Sequence, residues 1–153
     1  MSLEAKKKGL KQLQSFLNSY LSAFQNDNLH GDYQEFHDIV IKSKQHNAWF
    51  SIQNIHKAIG SWAEALSEEN INQWLKPYDL SNINKKKVAI ISAGNVPLVG
   101  FHDCLSVFLT GHDLVLKYSS KDKFLTPYLL KFLQNNGNFD SKLEVTDGQL
   151  SDF

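Results

Sequence analysis

The first half of the chain repeats apolar residues at the spacing of amphipathic helices. Apolar side chains recur at intervals of three and four over residues 4–24, which predicts a first helix. The same spacing predicts a second helix over residues 32–45 and a third over residues 52–66. The lysine run at 6–8 precedes the first apolar stripe, and we expect it to form a solvated first turn rather than a phosphate site.

A short fourth helix is predicted between Ser67 and Pro77. Serine is a preferred N-cap residue, and proline cannot continue a helix. Residues 79–87 are polar and rich in Asn, Ser and Lys, which is typical of a linker. We therefore expect residues 1–80 to form an N-terminal helical segment.

The pattern changes after the linker. Residues 88–91 are a short apolar run with β-branched side chains, which predicts a strand covered on both faces. A loop over residues 92–97 separates it from a crowded apolar stretch over residues 99–111, which predicts a buried helix ending near a glycine. Residues 113–118 predict a second strand. Two strands joined by a helix favour a parallel βαβ unit.

The remaining residues predict one more helix and one more strand. Ser119 or Ser120 leads toward a helix whose apolar stripe covers residues 124–133. The Asn- and Gly-rich residues 135–138 are expected to end that helix by C-cap chemistry. Alternating residues at 142–146 predict a third strand.

These elements predict an α/β fold with two parts. The helical segment of residues 1–80 precedes residues 81–153, which form a partial, Rossmann-like parallel βαβ unit. Ligands of parallel sheets bind at the carboxyl ends of the strands. Residues 92–97 and 117–121 follow two neighbouring strands, so we expect both to line one crevice.

Composition excludes several classes of function. The formal net charge is zero and every one of the 16 basic residues is Lys, so neither a basic surface nor guanidinium chemistry points to nucleic acid. A single Cys fits a reducing compartment and excludes an internal disulfide. No apolar run is long enough to span a membrane, and the first residues do not form a signal peptide. We expect a cytoplasmic protein.

The residues AGNVPLVGFHDCLSVFLTGHDLVLKYSSKD, at 93–122, resemble the first βαβ unit of the LuxC-type fatty acyl-CoA reductases, which belong to the aldehyde dehydrogenase superfamily. In that family an Asn-x-Pro loop follows the first strand of the cofactor domain, and a Lys ends the second strand. Asn95-Val96-Pro97 and Lys117 match those two features. The family's nucleophilic Cys lies in a later domain, so the resemblance implies that this chain is the N-terminal, cofactor-binding part of a longer enzyme.

The resemblance assigns an expected role to Asn95. Its amide would donate a hydrogen bond to the oxyanion that forms when the catalytic thiolate attacks the thioester carbonyl. From the pattern alone, Asn95 could equally cap the next helix or occupy a tight turn. The implied reaction reduces a long-chain fatty acyl-CoA to an aldehyde with NADPH or NADH, and a homo-oligomer is expected.

The resemblance also implies a cofactor site around Lys117. That lysine would hydrogen-bond the adenosine ribose, with Ser119, Ser120, Ala93 and Gly94 beside it. NAD-preferring relatives often carry a Glu at the position of Ser120, so an uncharged side chain there favours tolerance of a 2′-phosphate. The two serines could also form an N-cap.

Other reactive residue types have simpler explanations. Cys104 lies in a mostly apolar helix, where a free Cys is usually inert core. His102, Asp103 and His112 lack the spacing of metal ligands, and we expect no metal site. The alternative to an enzyme part is a non-enzymatic interaction module that uses its helices as a docking surface.

Overall fold

The structure is a computed structural model that describes residues 2–136 and 140–150. Those residues contain helices and strands in the order that the hydrophobic pattern predicts. The elements are α1 (Leu3–Gln25), α2 (Gly31–His46), α3 (Ile52–Ala65), α4 (Glu68–Leu75), β1 (Lys87–Ile91), α5 (Phe101–Thr110), β2 (Asp113–Lys117), α6 (Leu125–Asn136) and β3 (Leu143–Thr146).

Local capping chemistry explains where several helices begin and end. The Ser67 hydroxyl accepts a hydrogen bond from the backbone N–H of Asn70, which confirms the predicted N-cap of α4. The helix ends at Leu75, two residues before Pro77. Gly111 has a φ of +79° and ends α5 in the left-handed conformation that glycine tolerates.

The three strands form one parallel sheet in the order β1-β2-β3. β1 pairs with β2 from Lys87↔Asp113 to Ile91↔Lys117, so the predicted parallel βαβ unit is confirmed. β2 also pairs in parallel with β3, which confirms the predicted third strand. The fold is therefore mixed α/β, as the sequence predicts.

A single hydrophobic cluster joins the helices to one face of the sheet. Leu13, Leu17 and Tyr20 of α1 are fully buried in it. The same cluster contains Leu114 and Leu116 of β2. α1 packs on both α3 and α6, so the predicted helical segment and the predicted α/β unit lie against each other. The boundary between residues 80 and 81 stays a prediction.

The opposite face of the sheet is open at the carboxyl end of β1, although Val115 at its centre is buried. Ile91, Lys117 and Thr146 stand side by side in the strand register, and alternate residues of a strand point to opposite faces. Ile91 is 73% exposed. The side chain of Lys117 therefore emerges on the open face, at the carboxyl ends of the strands.

Three details of the sequence analysis are wrong. β1 is not covered on both faces, because none of its residues is fully buried and Ile91 is 73% exposed. Val99 precedes α5 and is exposed, because turns occupy residues 96–101 and Leu98 has a φ of +61°.

Lys6 is buried rather than solvated, and its Nζ donates a hydrogen bond to the Leu109 carbonyl at 2.9 Å. An ammonium group stabilises the unpaired carbonyls and negative dipole at the end of α5, which explains this burial.

The predicted C-cap at 135–138 falls partly on Gly137 and Asn138, which lie outside the described residues. Among residues 2–136 and 140–150, no helix is both long and apolar enough to cross a membrane.

Candidate functional site

Two loops meet where β1 and β2 end. We call residues 92–97 the β1 loop and residues 118–122 the β2 loop. The backbone N–H of Ser92 donates to the Lys117 carbonyl at 3.0 Å, so the strand ladder continues into the start of the β1 loop. The Asp122 N–H donates to the Ser119 carbonyl at 3.0 Å and folds the β2 loop into a turn. Both loops therefore lie at the edge where parallel sheets bind ligands.

Gly94 lets the two loops touch. A Cβ atom at this position would lie 2.4 Å from Ser119 Oγ and 2.7 Å from Lys121 Cβ. Neither distance is possible for a real side chain, so any residue larger than glycine would push the β1 loop away from the β2 loop. Close backbone approach is one of the uses of glycine. The sequence identifies Gly94 as a loop residue, but only the structure shows what it contacts.

Asn47 joins both loops to the helical segment. Its buried side-chain amide donates to the carbonyl of Gly94 at 3.1 Å and to the carbonyl of Lys121 at 3.2 Å. Its Oδ1 accepts the backbone N–H of Trp49 at 3.0 Å. No motif in the sequence marks Asn47 as part of this site. Its partners are 47 and 74 residues away along the chain, so no local pattern identifies them.

Asp122 is a second buried polar anchor. Its carboxylate accepts a hydrogen bond from the Thr126 hydroxyl at 3.0 Å and is 4% exposed. Burial raises the pKa of Asp122, and the Thr126 hydroxyl together with the nearby N–H groups of Leu98 and Leu125 partly offsets that rise. The Thr126 hydroxyl thus ties the end of the β2 loop to the start of α6.

Asn95 is exposed at the tip of the β1 loop. The N-cap of α5 is Gly100, with no side-chain cap bond, so Asn95 does not cap that helix. Asn95 is also absent from the positive-φ positions, so it does not occupy a left-handed turn position. Its amide makes no hydrogen bond to any part of the chain that the structure describes. The structure therefore leaves both hydrogen-bonding ends of this side chain available.

The residues predicted to surround the cofactor occupy the same edge. Lys117 is half-buried on the open face, and its ammonium has no ion-pair or hydrogen-bond partner within residues 2–136 and 140–150. Ser119 Oγ accepts the N–H of Lys121 at 3.2 Å, a turn contact rather than an N-cap of α6. Ser120 and Ala93 are exposed, and the Ser120 carbonyl accepts a hydrogen bond from His46 Nε2.

These groups suit the adenosine end of a dinucleotide in their chemistry. The ammonium of Lys117 and the free hydroxyl of Ser120 are donors for ribose hydroxyls and phosphate oxygens. The β1 and β2 loops are in contact at Gly94, so the predicted crevice between them is closed at that point and a ligand would lie across their rim.

Cys104 has the properties of a core residue. It is fully buried in α5, and burial raises the pKa of its thiol to about 12. A thiol with that pKa is protonated at neutral pH and is a poor nucleophile. Among the described residues, no group of three or more His, Cys, Asp or Glu side chains is arranged to hold a metal ion.

Comparisons of the chain with family models, with curated proteins and with solved structures gave no match.

Proposed function

We propose that the carboxyl edge of the sheet binds a nicotinamide dinucleotide and that this chain is the cofactor-binding part of a LuxC-like fatty acyl-CoA reductase. The observation that carries the proposal is a contrast between two sets of residues at the carboxyl edge of the sheet. The loops are fixed by Asn47, Gly94 and Asp122, while the side chains of Asn95 and Lys117 are left unpartnered. The sequence resemblance supports the same two residues. On this proposal the sheet is the start of an aldehyde dehydrogenase-like, Rossmann-like cofactor domain in a cytoplasmic enzyme.

The proposed overall reaction converts a fatty acyl-CoA thioester, NADPH and a proton into an aldehyde, free CoA and NADP⁺, with NADH as the other possible donor. The dinucleotide supplies the hydride. Asn95 would donate its amide N–H to the carbonyl oxygen as negative charge develops on it, an interaction worth about 2.7–4 kcal/mol of barrier. The family resemblance places the attacking thiolate in another domain, and the buried thiol of Cys104 does not fit that role.

Lys117 would hold the adenosine ribose. Its ammonium carries three donors on a long stem and emerges beside the strand ends. Ser120 is uncharged, and Lys121 adds a positive charge to the same loop, so neither side chain repels a 2′-phosphate. We therefore propose that NADPH and NADH both bind, without a penalty for the phosphate.

The test is calorimetric titration of NADPH and NADH into the wild-type chain and into Lys117→Ala. We expect dissociation constants toward the millimolar range, near −4 kcal/mol at 1 mM, because the chain carries only part of a complete cofactor site on this proposal. Lys117→Ala should abolish binding, while Lys123→Ala, an exposed lysine farther along the chain, should bind normally. Failure of the wild-type chain to bind either nucleotide would refute the proposal.

Self-association is a second part of the proposal. β1 and β3 are the two edge strands of the sheet, and an unpaired edge is a template for another strand. The exposed Ile91 lies on β1. We expect a homo-dimer by light scattering at about 100 µM, and a sharp monomer mass there would remove this part while leaving cofactor binding in place.

The alternative, a helical docking module, has one observation in its favour. An apolar hollow of about 250 Å³ lies between α4 and α5. Its lining includes Trp74, Tyr78, Leu80 and His102. Nucleotide binding at the sheet edge would not require this hollow. Binding lost on Lys117→Ala but unaffected by Trp74→Ala would therefore favour the cofactor site over the docking module.

A further inference from the structure

Trp49 is exposed although its backbone is held firmly. The indole is 63% exposed. The Trp49 N–H donates to Asn47 Oδ1 at 3.0 Å, and its carbonyl accepts Asn54 Nδ2 at 3.3 Å. The backbone that carries this large exposed ring is therefore held in place without a ligand.

That ring lies beside the candidate cofactor site. The ammonium of Lys121 is 5.2 Å from the centre of the Trp49 ring. Lys121 belongs to the β2 loop, and its carbonyl accepts the same Asn47 amide that also binds Gly94. One side chain, Asn47, therefore fixes Trp49 and both loops relative to each other.

The other two tryptophans are used in packing. Trp62 is half-buried and meets Phe101 edge-on, with ring centres 5.0 Å apart. Trp74 is half-buried and lies against His102, with ring centres 4.9 Å apart. Trp49 thus differs from both in exposure and in its neighbours.

We propose that Trp49 is the stacking surface for the adenine base of the bound dinucleotide and that Lys121 binds the phosphate on the adenosine side. This inference rests on the proposed cofactor site and assigns its base-binding half. An aromatic ring stacks on a nucleobase whatever the base, because every base has a π-face. The cation that already lies near the ring supplies the charge that a phosphate needs. Lys117, at the end of β2, remains available to bind the ribose.

The experiment uses tryptophan fluorescence and calorimetry on the same samples. The probes are NADPH, adenosine 2′,5′-bisphosphate and nicotinamide mononucleotide, with Trp49→Ala, Trp49→Phe and Lys121→Gln as variants. Trp74→Phe is the matched control, because it removes one of the other two tryptophans and leaves the site untouched. Circular dichroism checks that each variant is folded, as the exposure of Trp49 leads us to expect.

Adenosine 2′,5′-bisphosphate should quench fluorescence in the wild type and in Trp74→Phe but not in Trp49→Ala. Trp49→Ala should bind NADPH and the bisphosphate roughly tenfold more weakly, the scale of stacking one base on an aromatic ring. Trp49→Phe should recover most of that loss, since a phenyl ring still stacks. Lys121→Gln should weaken the bisphosphate, and nicotinamide mononucleotide should be unaffected by Trp49→Ala.

The two proposals fail in different ways. If calorimetry detects NADPH binding that is lost in Lys117→Ala but unchanged in Trp49→Ala, the stacking role is refuted and the cofactor site stands. If no probe binds the wild-type chain by either method, both proposals are refuted. If tryptophan fluorescence changes with protein concentration in the absence of nucleotide, Trp49 lies in an interface between copies of the chain. That result would also refute the stacking role.

Discussion

Two polar clusters in this molecule use their hydrogen-bonding groups differently. In the helical core, the Tyr20 hydroxyl lies 3.0 Å from His37 Nδ1 and 2.9 Å from His56 Nε2. One hydroxyl can donate to one imidazole and accept from the other, so two imidazoles in complementary tautomers satisfy it completely. At the sheet edge, by contrast, the amide of Asn95 and the ammonium of Lys117 have no partner among residues 2–136 and 140–150.

This difference separates residues that hold the fold from residues that await a ligand. A polar group that is buried without a partner costs free energy, so a folded protein pairs such groups internally. Exposed groups can stay unpaired at no cost because water solvates them. The first cluster should therefore matter for stability, and the second should matter for binding and turnover. The predictions below test that division, beginning with the largest expected effect.

Asn95→Ala should have the largest effect, and only on chemistry. In the full-length reductase that the proposal implies, turnover should fall by roughly 10²–10³, because the donor acts on charge that develops in the transition state. Cofactor affinity and the melting temperature should stay near those of the parent enzyme. Steady-state kinetics with a fatty acyl-CoA measures the effect. A tenfold loss of cofactor binding with normal turnover would reverse the assignment.

Gly94→Ala should cost about 1–3 kcal/mol of folding free energy, the usual penalty of overpacking. The new methyl group would lie 2.4 Å from Ser119 Oγ, so the loops must separate. Urea denaturation measures this cost. Ser119→Gly in the same chain should recover part of it, and a double mutant no more stable than Gly94→Ala would show that the contact with Ser119 is not the cause.

Tyr20→Phe should destabilise the protein by about 1–3 kcal/mol, since it leaves two imidazole nitrogens without their shared partner. Tyr33→Phe is the matched control, because the described chain gives the Tyr33 hydroxyl no hydrogen bond. That control should change stability by less than about 0.5 kcal/mol. Equal effects of the two substitutions in denaturant melts would contradict a structural role for the cluster.

The same cluster should make stability depend on pH. Burial lowers the pKa of His56, and the positive charge of a protonated His37 lowers it further. The unfolded chain therefore binds a proton more readily than the folded one, and stability falls as pH drops below the ordinary histidine pKa of about 6.5. Unfolding free energies at a series of pH values from 8 to 5 measure the slope. His56→Gln should flatten it, and an unchanged slope would assign the effect to other groups.

The sequence predicts the elements of this fold well because their signals are local. Hydrophobic spacing predicts α1–α4 and the parallel pair β1–β2, and the N-cap preference of serine predicts the cap at Ser67. The contacts that build the site are not local. Asn47 reaches Gly94 and Lys121, and Lys6 reaches the end of α5, across most of the chain.

Candidate site residues divide in the same way. Asn95 follows β1 and Lys117 ends β2, so strand prediction together with the family resemblance identifies them. Trp49 and Asn47 belong to a turn between helices, where no spacing or motif relates them to the sheet. Their connection to the site depends on how α2 packs against the β2 loop, which only the three-dimensional arrangement shows.

The most direct test of the account compares stability with binding in one substitution. Without ligand, Lys117→Ala should change the free energy of unfolding by less than about 0.5 kcal/mol, because the ammonium has no partner to lose among the described residues. With NADPH at ten times its dissociation constant, the wild type should gain about 1.4 kcal/mol of stability, and the variant should gain none. An unliganded variant that is already strongly destabilised, or one that NADPH still stabilises as much as the wild type, would contradict the assignment of Lys117 to the ligand.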